Sequence, residues 1–486
     1  MACTTILVGK KASYDGSTLI ARNDDGQYDE KKLIVVNPQN QPRKYKAKIS
    51  GVEITLPDNP LRYTSTPSVS DKKGIWAANG INSKNVAMTA TETLTTNALV
   101  MGADPYVKPI LDKKGKITKV GGIGEEDLVV LVLPYISSAR EGVIRLGELL
   151  EKYGTYEPNG IAFSDENEIW WLETIGGHHF IAKRVKDDEY VMMPNQFGIN
   201  NFDLDDAFGN QKEHICSKDL KEFILNNHLD LNLNGVCNPR LIFGSHSDSD
   251  HVYNTPRAWF MARYFNPRTY KWDGPNADYT PESDDLPWSL KPEHKITVEE
   301  VKYILSSYYQ GTDYNPFSKV ASKGGMYRPI GISRTGVMEI LQIRPYVDDV
   351  LKGVGWISFG ANPFNSSVAL YANVDKLPNY FAKTTLDIDT KESFYWASRV
   401  LGVLADENYG SCIQFIERYQ AAVANKGHEL LNKYDALYLQ NKDLSLLNKM
   451  NEEMAKFLKE ETQKALSNCL LEASKAMKCG YKRTDN

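Results

Sequence analysis

The amino-acid sequence predicts an α+β fold with much antiparallel sheet and a helical C-terminal region. Two short β-type runs flank an Asp-Gly turn within the first 25 residues, a pattern typical of a hairpin. Four further β-type runs, separated by polar turns, follow one another between residues 160 and 198 and predict an antiparallel meander. From about residue 410 to residue 476, apolar side chains recur at helical spacing, which predicts two or three long helices with breaks at Gly427 and at residues 441–443.

The composition is that of an ordinary globular protein, with 42% hydrophobic and 24% charged residues. A net charge of −5 gives no basic surface for nucleic acid. No apolar run reaches the roughly 18 residues of a membrane span, and no secretory h-region is present, so we expect no membrane partner. The six cysteines lack the short spacing of a disulfide framework or a zinc ribbon, which favours a cytoplasmic protein.

The predicted N-terminal hairpin brings reactive side chains together. Its second strand returns Arg22 and the carboxylates Asp24 and Asp25 to the neighbourhood of Cys3. If Cys3 becomes the first residue of the chain, its free α-amine can act as the base for its own thiol, and the charge of Arg22 lowers the thiol pKa. The alternative interpretation is a small buried cysteine and a solvated arginine at a strand end.

Two asparagines stand at the ends of predicted strands. Asn79 lies in an Asn-Gly step between two β-type runs of residues 74–88, and Asn195 follows the last strand of the meander. Either side chain could serve a site or simply form a turn by bonding its own backbone. Between them, residues 138–153 show apolar spacing typical of an amphipathic helix that Gly154 ends.

The segment 244–251 offers a different chemistry, because His246, Asp248 and His251 alternate in a pattern that could bind a divalent cation. No His-Glu-x-x-His helix accompanies it, and a polar loop is the simpler interpretation. Immediately afterwards, Pro256 can open a helix and direct Arg257 from its first turn. Arg240 and Arg263 compete with Arg257 for an active-site role.

Several of these motifs resemble one family, the N-terminal-nucleophile cysteine dipeptidases of the dipeptidase A type, which are similar to penicillin V acylases and bile salt hydrolases. The resemblance rests on the opening through Asp25, on the NGIN-x-x-x-VAM stretch that begins at Asn79, and on the N-x-PR-x-W motif around Arg257. A GT-x-YDP stretch also matches, although Asn315 stands where aspartate is usual. The similarity extends to about Gly410.

The resemblance implies a four-layer αββα sandwich of the N-terminal-nucleophile (Ntn) hydrolase type, with insertions and with Cys3 at the end of a central strand. It implies a catalytic domain of residues 1–410, from which residues 1 and 2 are removed on maturation. The helical extension, residues 411–486, would pack on this body or on another subunit, so we expect a homo-oligomer. The implied substrates are small dipeptides, with no cofactor and no metal.

The resemblance also implies roles for individual residues. Cys3 would be the nucleophile and its α-amine the base, with a thioester intermediate. Asp25 rather than Asp24 would orient the new α-amino group or that of the substrate. The remaining candidates are Arg22 beside the thiol, Asn79 near the pocket, Asn195 in the oxyanion hole and Arg257 as the late active-site arginine. The alternative functions are an amidase of the acylase class and a metal-dependent dipeptidase.

Overall fold

The computed structural model describes residues 3–26, 29–70, 72–90, 92–233 and 235–478. Residues 1 and 2, on which the predicted maturation falls, lie outside these ranges. The strands are β1 (Thr4–Val8), β2 (Thr18–Asp24), β3 (Ile34–Val36), β4 (Lys44–Lys46), β5 (Glu53–Thr55), β6 (Tyr63–Ser65), β7 (Asn79–Ile81), β8 (Ala87–Thr89), β9 (Glu92–Thr93), β10 (Ile110–Leu111), β11 (Ile117–Lys119), β12 (Asn159–Ser164), β13 (Ile169–Thr174), β14 (Phe180–Val185), β15 (Tyr190–Met193), β16 (His214–Cys216), β17 (Ser289–Leu290), β18 (Val337–Ile343), β19 (Gly353–Phe359) and β20 (Val368–Tyr371).

The helices lie mainly in the second half of the chain. They are α1 (Ala98–Ala103), α2 (Leu128–Val132), α3 (Ala139–Tyr153), α4 (Leu204–Phe208), α5 (Leu220–Asn226), α6 (Pro239–Phe243), α7 (Asp250–Tyr253), α8 (Thr255–Phe265), α9 (Val298–Leu305), α10 (Asn379–Ala382), α11 (Phe394–Glu407), α12 (Tyr409–Asn441) and α13 (Ser445–Lys475). Short 3-10 helical segments occupy Pro38–Asn40, Leu133–Tyr135, Asp349–Leu351 and Asn362–Phe364. Within the described ranges, no helix is long and apolar enough to cross a membrane.

Two antiparallel sheets form the centre of the fold, as the sequence predicts. The first sheet has the strand order β17-β15-β1-β2-β18-β19-β20. The second has the order β16-β14-β13-β12-β8-β7, and β9 pairs with β12 beside this path. Strands β1 and β2 are therefore central in the first sheet, and the N-terminal hairpin is confirmed, with Thr5 opposite Arg22. Gly16 has a φ of 84°, the left-handed conformation that its turn requires.

The meander is only partly confirmed. Strands β12, β13 and β14 pair in succession in the second sheet, but β15 crosses to the first sheet and pairs with β1. The sequence could not reveal this crossing, because all four residues of β15 are buried and its two faces are equally apolar. The crossing carries the chain that follows β15, including Asn195, to the N-terminal end of β1.

Three apolar clusters fix the packing of the sheets. Leu7 and Ile20 of the first sheet pack with Trp171 of the second in a cluster between the two sheets. The opposite face of the first sheet packs against α8, α9 and the C-terminal helices. The opposite face of the second sheet packs against α2 and α3. Each sheet is therefore buried on both faces, one against the other sheet and one against helices.

Local sequence signals set several helix boundaries. Helix α3 begins after Ser138, whose hydroxyl accepts from the Glu141 amide, and ends at Gly154 with a φ of 68°, as predicted. Helix α8 carries Pro256 in its first turn, which confirms the prediction for this segment.

The C-terminal helices α12 and α13 pack against each other and on strand β20. The predicted break near Lys442 is confirmed, since Lys442 adopts a left-handed conformation at the end of α12. The predicted break at Gly427 is wrong, because α12 continues through it. A Cβ atom at Gly427 would lie 3.1 Å from the Trp356 ring and 3.2 Å from Ala369, so this glycine permits close contact between helix and sheet.

Candidate active site

The N-terminal hairpin brings the guanidinium of Arg22 against the thiol of Cys3. Nη2 of Arg22 donates to the Cys3 Sγ at 2.9 Å, and both side chains are buried. The register explains the contact: Thr5 lies opposite Arg22, and Cys3 is two residues before Thr5 on the same face of β1. The two residues that the sequence pairs in a hairpin are therefore in direct contact.

Two carboxylates share the charge of Arg22. Its Nη2 lies 3.0 Å from Glu125 Oε1 and 3.5 Å from Asp24 Oδ1. Lys31 also contacts Asp24, with 2.9 Å between its Nζ and Oδ2. Burial would raise the pKa of the Asp24 carboxyl, but Lys31 and Arg22 hold that pKa below its usual value.

The thiol itself is held in its neutral form. Burial raises the pKa of Cys3 well above its usual value, and the neighbouring Glu92 and Asp24 act in the same direction. Arg22 lowers this pKa, as the sequence predicts, but its effect is smaller than that of burial. A base close to Sγ is therefore needed to make the thiol nucleophilic.

Arg257, in the first turn of α8, holds the main chain of the same residue. Its Nη1 donates to the Cys3 carbonyl oxygen and, at 2.6 Å, to the Thr4 hydroxyl. Its Nε donates to the Tyr253 carbonyl at 2.7 Å. Burial, together with the charge of Arg328, lowers the pKa of Arg257 to about 10, so the guanidinium remains charged at neutral pH.

Asn195 is oriented by two neighbours. Nη2 of Arg257 donates to its Oδ1 at 2.8 Å, and Nδ2 of Asn254 donates to its main-chain oxygen at 3.1 Å. Because a guanidinium is only a donor, the Asn195 Oδ1 must face it, and Nδ2 then donates to the Thr93 carbonyl at 3.1 Å. Asn195, Asn254 and Thr93 line an open pocket of about 610 Å³.

Asp25 and Asn79 are the remaining predicted site residues, and each has its own hydrogen-bond partners. Asp25 accepts from Nη2 of Arg328 and, at 2.6 Å, from the Thr335 hydroxyl. Arg328 in turn reaches the Thr4 hydroxyl at 3.5 Å, which links Asp25 to the residue after Cys3. Asn79 lies in β7 of the second sheet, where its Oδ1 accepts from Thr66 at 2.7 Å.

In the part of the chain that the structure describes, the hydrogen bonds and ion pairs of the two competing arginines go to residues other than Cys3. Arg240 donates to the main-chain oxygens of Gly198, Asp284 and Leu286, and Arg263 pairs with Asp273 at 2.9 Å. In the 244–251 segment, His251 pairs with Asp284 at 3.0 Å. Within the described ranges, no three His, Cys, Asp or Glu side chains are grouped as metal ligands.

Several buried charged groups near Cys3 escape sequence analysis. Glu92, Glu125, Lys31 and Arg328 all lie near the thiol, Arg22 or Arg257. They come from distant parts of the chain, and none belongs to a short motif with a mechanism of its own. Only the Thr-rich run around Glu92, with a single charge among β-type residues, could have drawn attention to a buried carboxyl.

Comparison with known proteins identifies the family. Residues 2–422 match the model of Peptidase family C69. The chain is 49% identical to a protein named "Dipeptidase" of Bifidobacterium longum and 48% identical to "Probable dipeptidase A" of Streptococcus pyogenes serotype M3, with full coverage of both partners in each case. It is 43% identical to "Dipeptidase A" of Lactobacillus helveticus over 89% of this chain and 88% of that one. The chain belongs to peptidase family C69.

Proposed function

We propose that this protein is a cysteine dipeptidase that cleaves dipeptides through a thioester on Cys3. The family match and the names of the similar proteins support hydrolysis of dipeptides. The observation that carries the cysteine mechanism is the contact between Cys3 Sγ and Arg22 Nη2 at 2.9 Å, in a buried site beside an open pocket.

In the first half of the reaction, the free α-amine of Cys3 takes the thiol proton as Sγ bonds to the peptide carbonyl carbon. The ordinary pKa of an α-amine, ~7.7–8.0, suits a base that works near neutral pH. Arg22 stabilises the thiolate, and Asp25 would orient the amine through the Arg328 and Thr4 contacts. The carbonyl π electrons move to oxygen, which becomes the oxyanion.

Collapse of this intermediate breaks the C–N bond, and the α-ammonium of Cys3 protonates the departing amino acid. Water then attacks the thioester carbon, the amine takes the water proton, and the thiol leaves with that proton restored. The side-chain amide of Asn195 is our candidate donor to both oxyanions, with Arg257 fixing its orientation. Removal of one such donor typically costs about 3 kcal/mol of transition-state stabilisation.

The mechanism requires that residues 1 and 2 be removed, because an amide nitrogen on Cys3 cannot accept the thiol proton at neutral pH. We also propose that the fold is an Ntn-hydrolase sandwich of αββα type. The central position of β1, the packing of the two sheets and the helices on both outer faces support this assignment. Residues 1–410 would form the catalytic domain and residues 411–486 an extension that packs on it or on a second subunit.

Three treatments test the proposal with Ala-Ala as substrate. Iodoacetamide and the Cys3→Ala substitution should each abolish hydrolysis, whereas EDTA should leave it intact. Cys237→Ala is the matched control, since Cys237 is also a free cysteine and is more exposed than the buried Cys3, and this variant should remain active and sensitive to alkylation. Loss of activity in EDTA that zinc restores, or an active Cys3→Ala variant, would refute the cysteine mechanism. Preferential cleavage of N-acylated dipeptides or bile salt amides would favour an amidase.

A further inference from the structure

Three of the acidic side chains near Cys3 already have a cationic partner. Asp24 pairs with Lys31 at 2.9 Å, Glu125 pairs with Arg22 at 3.0 Å, and Asp25 pairs with Arg328. Each of these carboxylates is therefore neutralised within the protein, which makes all three poor acceptors for a further positive charge.

Glu92 differs from these three carboxyls. Its side chain is fully buried, its Oε2 accepts from the Thr5 hydroxyl at 2.8 Å, and its Oε1 has no hydrogen-bond partner. Within the described ranges, no salt bridge joins Glu92 to a cation. A buried carboxyl oxygen without a partner is costly, so Glu92 Oε1 is able to accept a donor from a ligand.

The position of Glu92 points to the substrate as that partner. Glu92 contacts Thr5, which is two residues after the nucleophile on the same face of β1. The next residue, Thr93, lines the pocket and accepts from the Asn195 amide. Glu92 therefore contacts a side chain two residues after Cys3, and the residue that follows Glu92 in strand β9 of the second sheet lines the pocket.

On the basis of the proposed function, we propose that Glu92 binds the α-ammonium group of the dipeptide and thereby selects substrates with a free amino terminus. The ammonium would supply Oε1 with the donor that it lacks. An N-acylated peptide would leave the same oxygen unpartnered, and sites built for a polar group discriminate strongly against ligands without it.

The titration of Glu92 agrees with this assignment. Burial raises the pKa of Glu92 to about 8, and the positive charges of Arg257 and Arg22 and the Thr5 hydrogen bond only partly oppose burial. Asp25 raises this pKa further. This raised pKa favours the protonated carboxyl at neutral pH, and an arriving ammonium would lower the pKa and release the proton. Substrate binding should therefore release a proton near pH 7, which a pH-indicator dye can measure.

The test compares Ala-Ala with N-propionyl-alanine, which has the same skeleton without the amino group. Glu92→Gln should raise KM for Ala-Ala at least about tenfold, while the inhibition constant of N-propionyl-alanine changes less than about threefold. Glu339→Gln is the matched control, because Glu339 is also buried with an unpartnered oxygen and a pKa of about 8. It should alter neither constant.

An unchanged KM in Glu92→Gln, or an equal rise in both constants, would overturn the proposal, since a merely structural carboxyl affects both ligands alike. If Glu92→Gln does not accumulate as folded protein, Glu92→Asp provides the same comparison with a smaller expected rise in KM. Failure of the cysteine mechanism is distinguishable, because it appears as activity in Cys3→Ala, whatever the outcome at Glu92.

Discussion

Arg257 Nη1 donates to the carbonyl oxygen of Cys3, so a side chain 254 residues away along the chain holds the peptide unit that follows Cys3. The same guanidinium donates through Nη2 to Asn195 Oδ1 at 2.8 Å. One buried side chain therefore sets the distance between the main chain of Cys3 and Asn195, the proposed oxyanion donor. This geometry needs two separate N–H groups in one plane, which arginine has and lysine lacks.

Arg257→Lys should lower kcat by about a hundredfold, because lysine cannot hold both Cys3 and Asn195 in place. Steady-state kinetics with Ala-Ala measure the effect. The matched control is Arg240→Lys, which alters a partly buried arginine that donates to the main-chain oxygens of Gly198, Asp284 and Leu286. A similar loss of kcat in both variants would mean that Arg257 acts only through folding.

Asn195→Asp separates the two roles proposed for this side chain, which are to accept a hydrogen bond from Arg257 and to donate one to the oxyanion. Aspartate keeps an oxygen acceptor for Arg257 but has no N–H donor when ionised. We expect kcat to fall roughly 10²- to 10³-fold, with some loss of melting temperature because the bond to the Thr93 carbonyl is also lost. Asn195→Ala should lose a similar amount of activity. Full activity in Asn195→Asp together with inactivity in Asn195→Ala would show that orientation of Arg257, rather than donation, is what Asn195 contributes.

Active protein should begin at Cys3, because only then does the α-amine exist as a base. N-terminal sequencing and intact mass of fully active enzyme measure this directly. Cys3→Ala should retain Ala2 if the thiol cleaves the Ala2–Cys3 bond by an N-to-S acyl shift, and should lose Ala2 if an aminopeptidase removes it. Active protein that still carries Ala2 would exclude the α-amine as base.

Lys302 makes the stability of the protein depend on pH. Its Nζ donates to the Asn362 carbonyl at 2.8 Å, and burial lowers the pKa of this lysine from 10.5 to about 7. Between these two values the unfolded chain binds more protons than the folded protein, so stability rises with pH in this window. Lys302→Met should raise the melting temperature most at or below pH 7, and the gain should shrink as pH approaches 10.

The control for this experiment is Lys376→Met, which removes an exposed lysine. Its effect on the melting temperature should be small and nearly the same at every pH. Thermal unfolding of both variants between pH 6 and pH 10 gives the comparison. A gain from Lys302→Met that is constant across this range would contradict the assigned titration.

The local parts of the fold could be predicted, and the long-range ones could not. The N-terminal hairpin depends on a turn and two strands within 25 residues, and helix α3 depends on Ser138 and Gly154 at its ends. No sequence pattern indicates that β15 crosses to the first sheet, because both faces of that strand are buried. Gly427 illustrates the opposite error: glycine predicts a break, but here it allows a continuous helix to approach Trp356.

The same distinction applies to the candidate site. The contact of Cys3 with Arg22 could be predicted, since the register of one hairpin produces it. The pairing of Arg22 with Glu125 joins residues 103 positions apart, and that of Asp25 with Arg328 joins residues 303 apart. Such pairs depend on how the sheets and loops meet, which periodicity and spacing in a single sequence do not encode.

The crossing of β15 has a consequence for how substrate preference could evolve. Cys3 directly precedes β1, Arg22 lies in β2 and Asn195 follows β15, all three strands of the first sheet, whereas Glu92 belongs to the second sheet. The groups proposed to break the peptide bond are thus associated with one sheet and the proposed amine-binding group with the other. Substitutions in the second sheet could therefore change which amino termini are accepted while the reactivity of the Cys3 thiol stays constant.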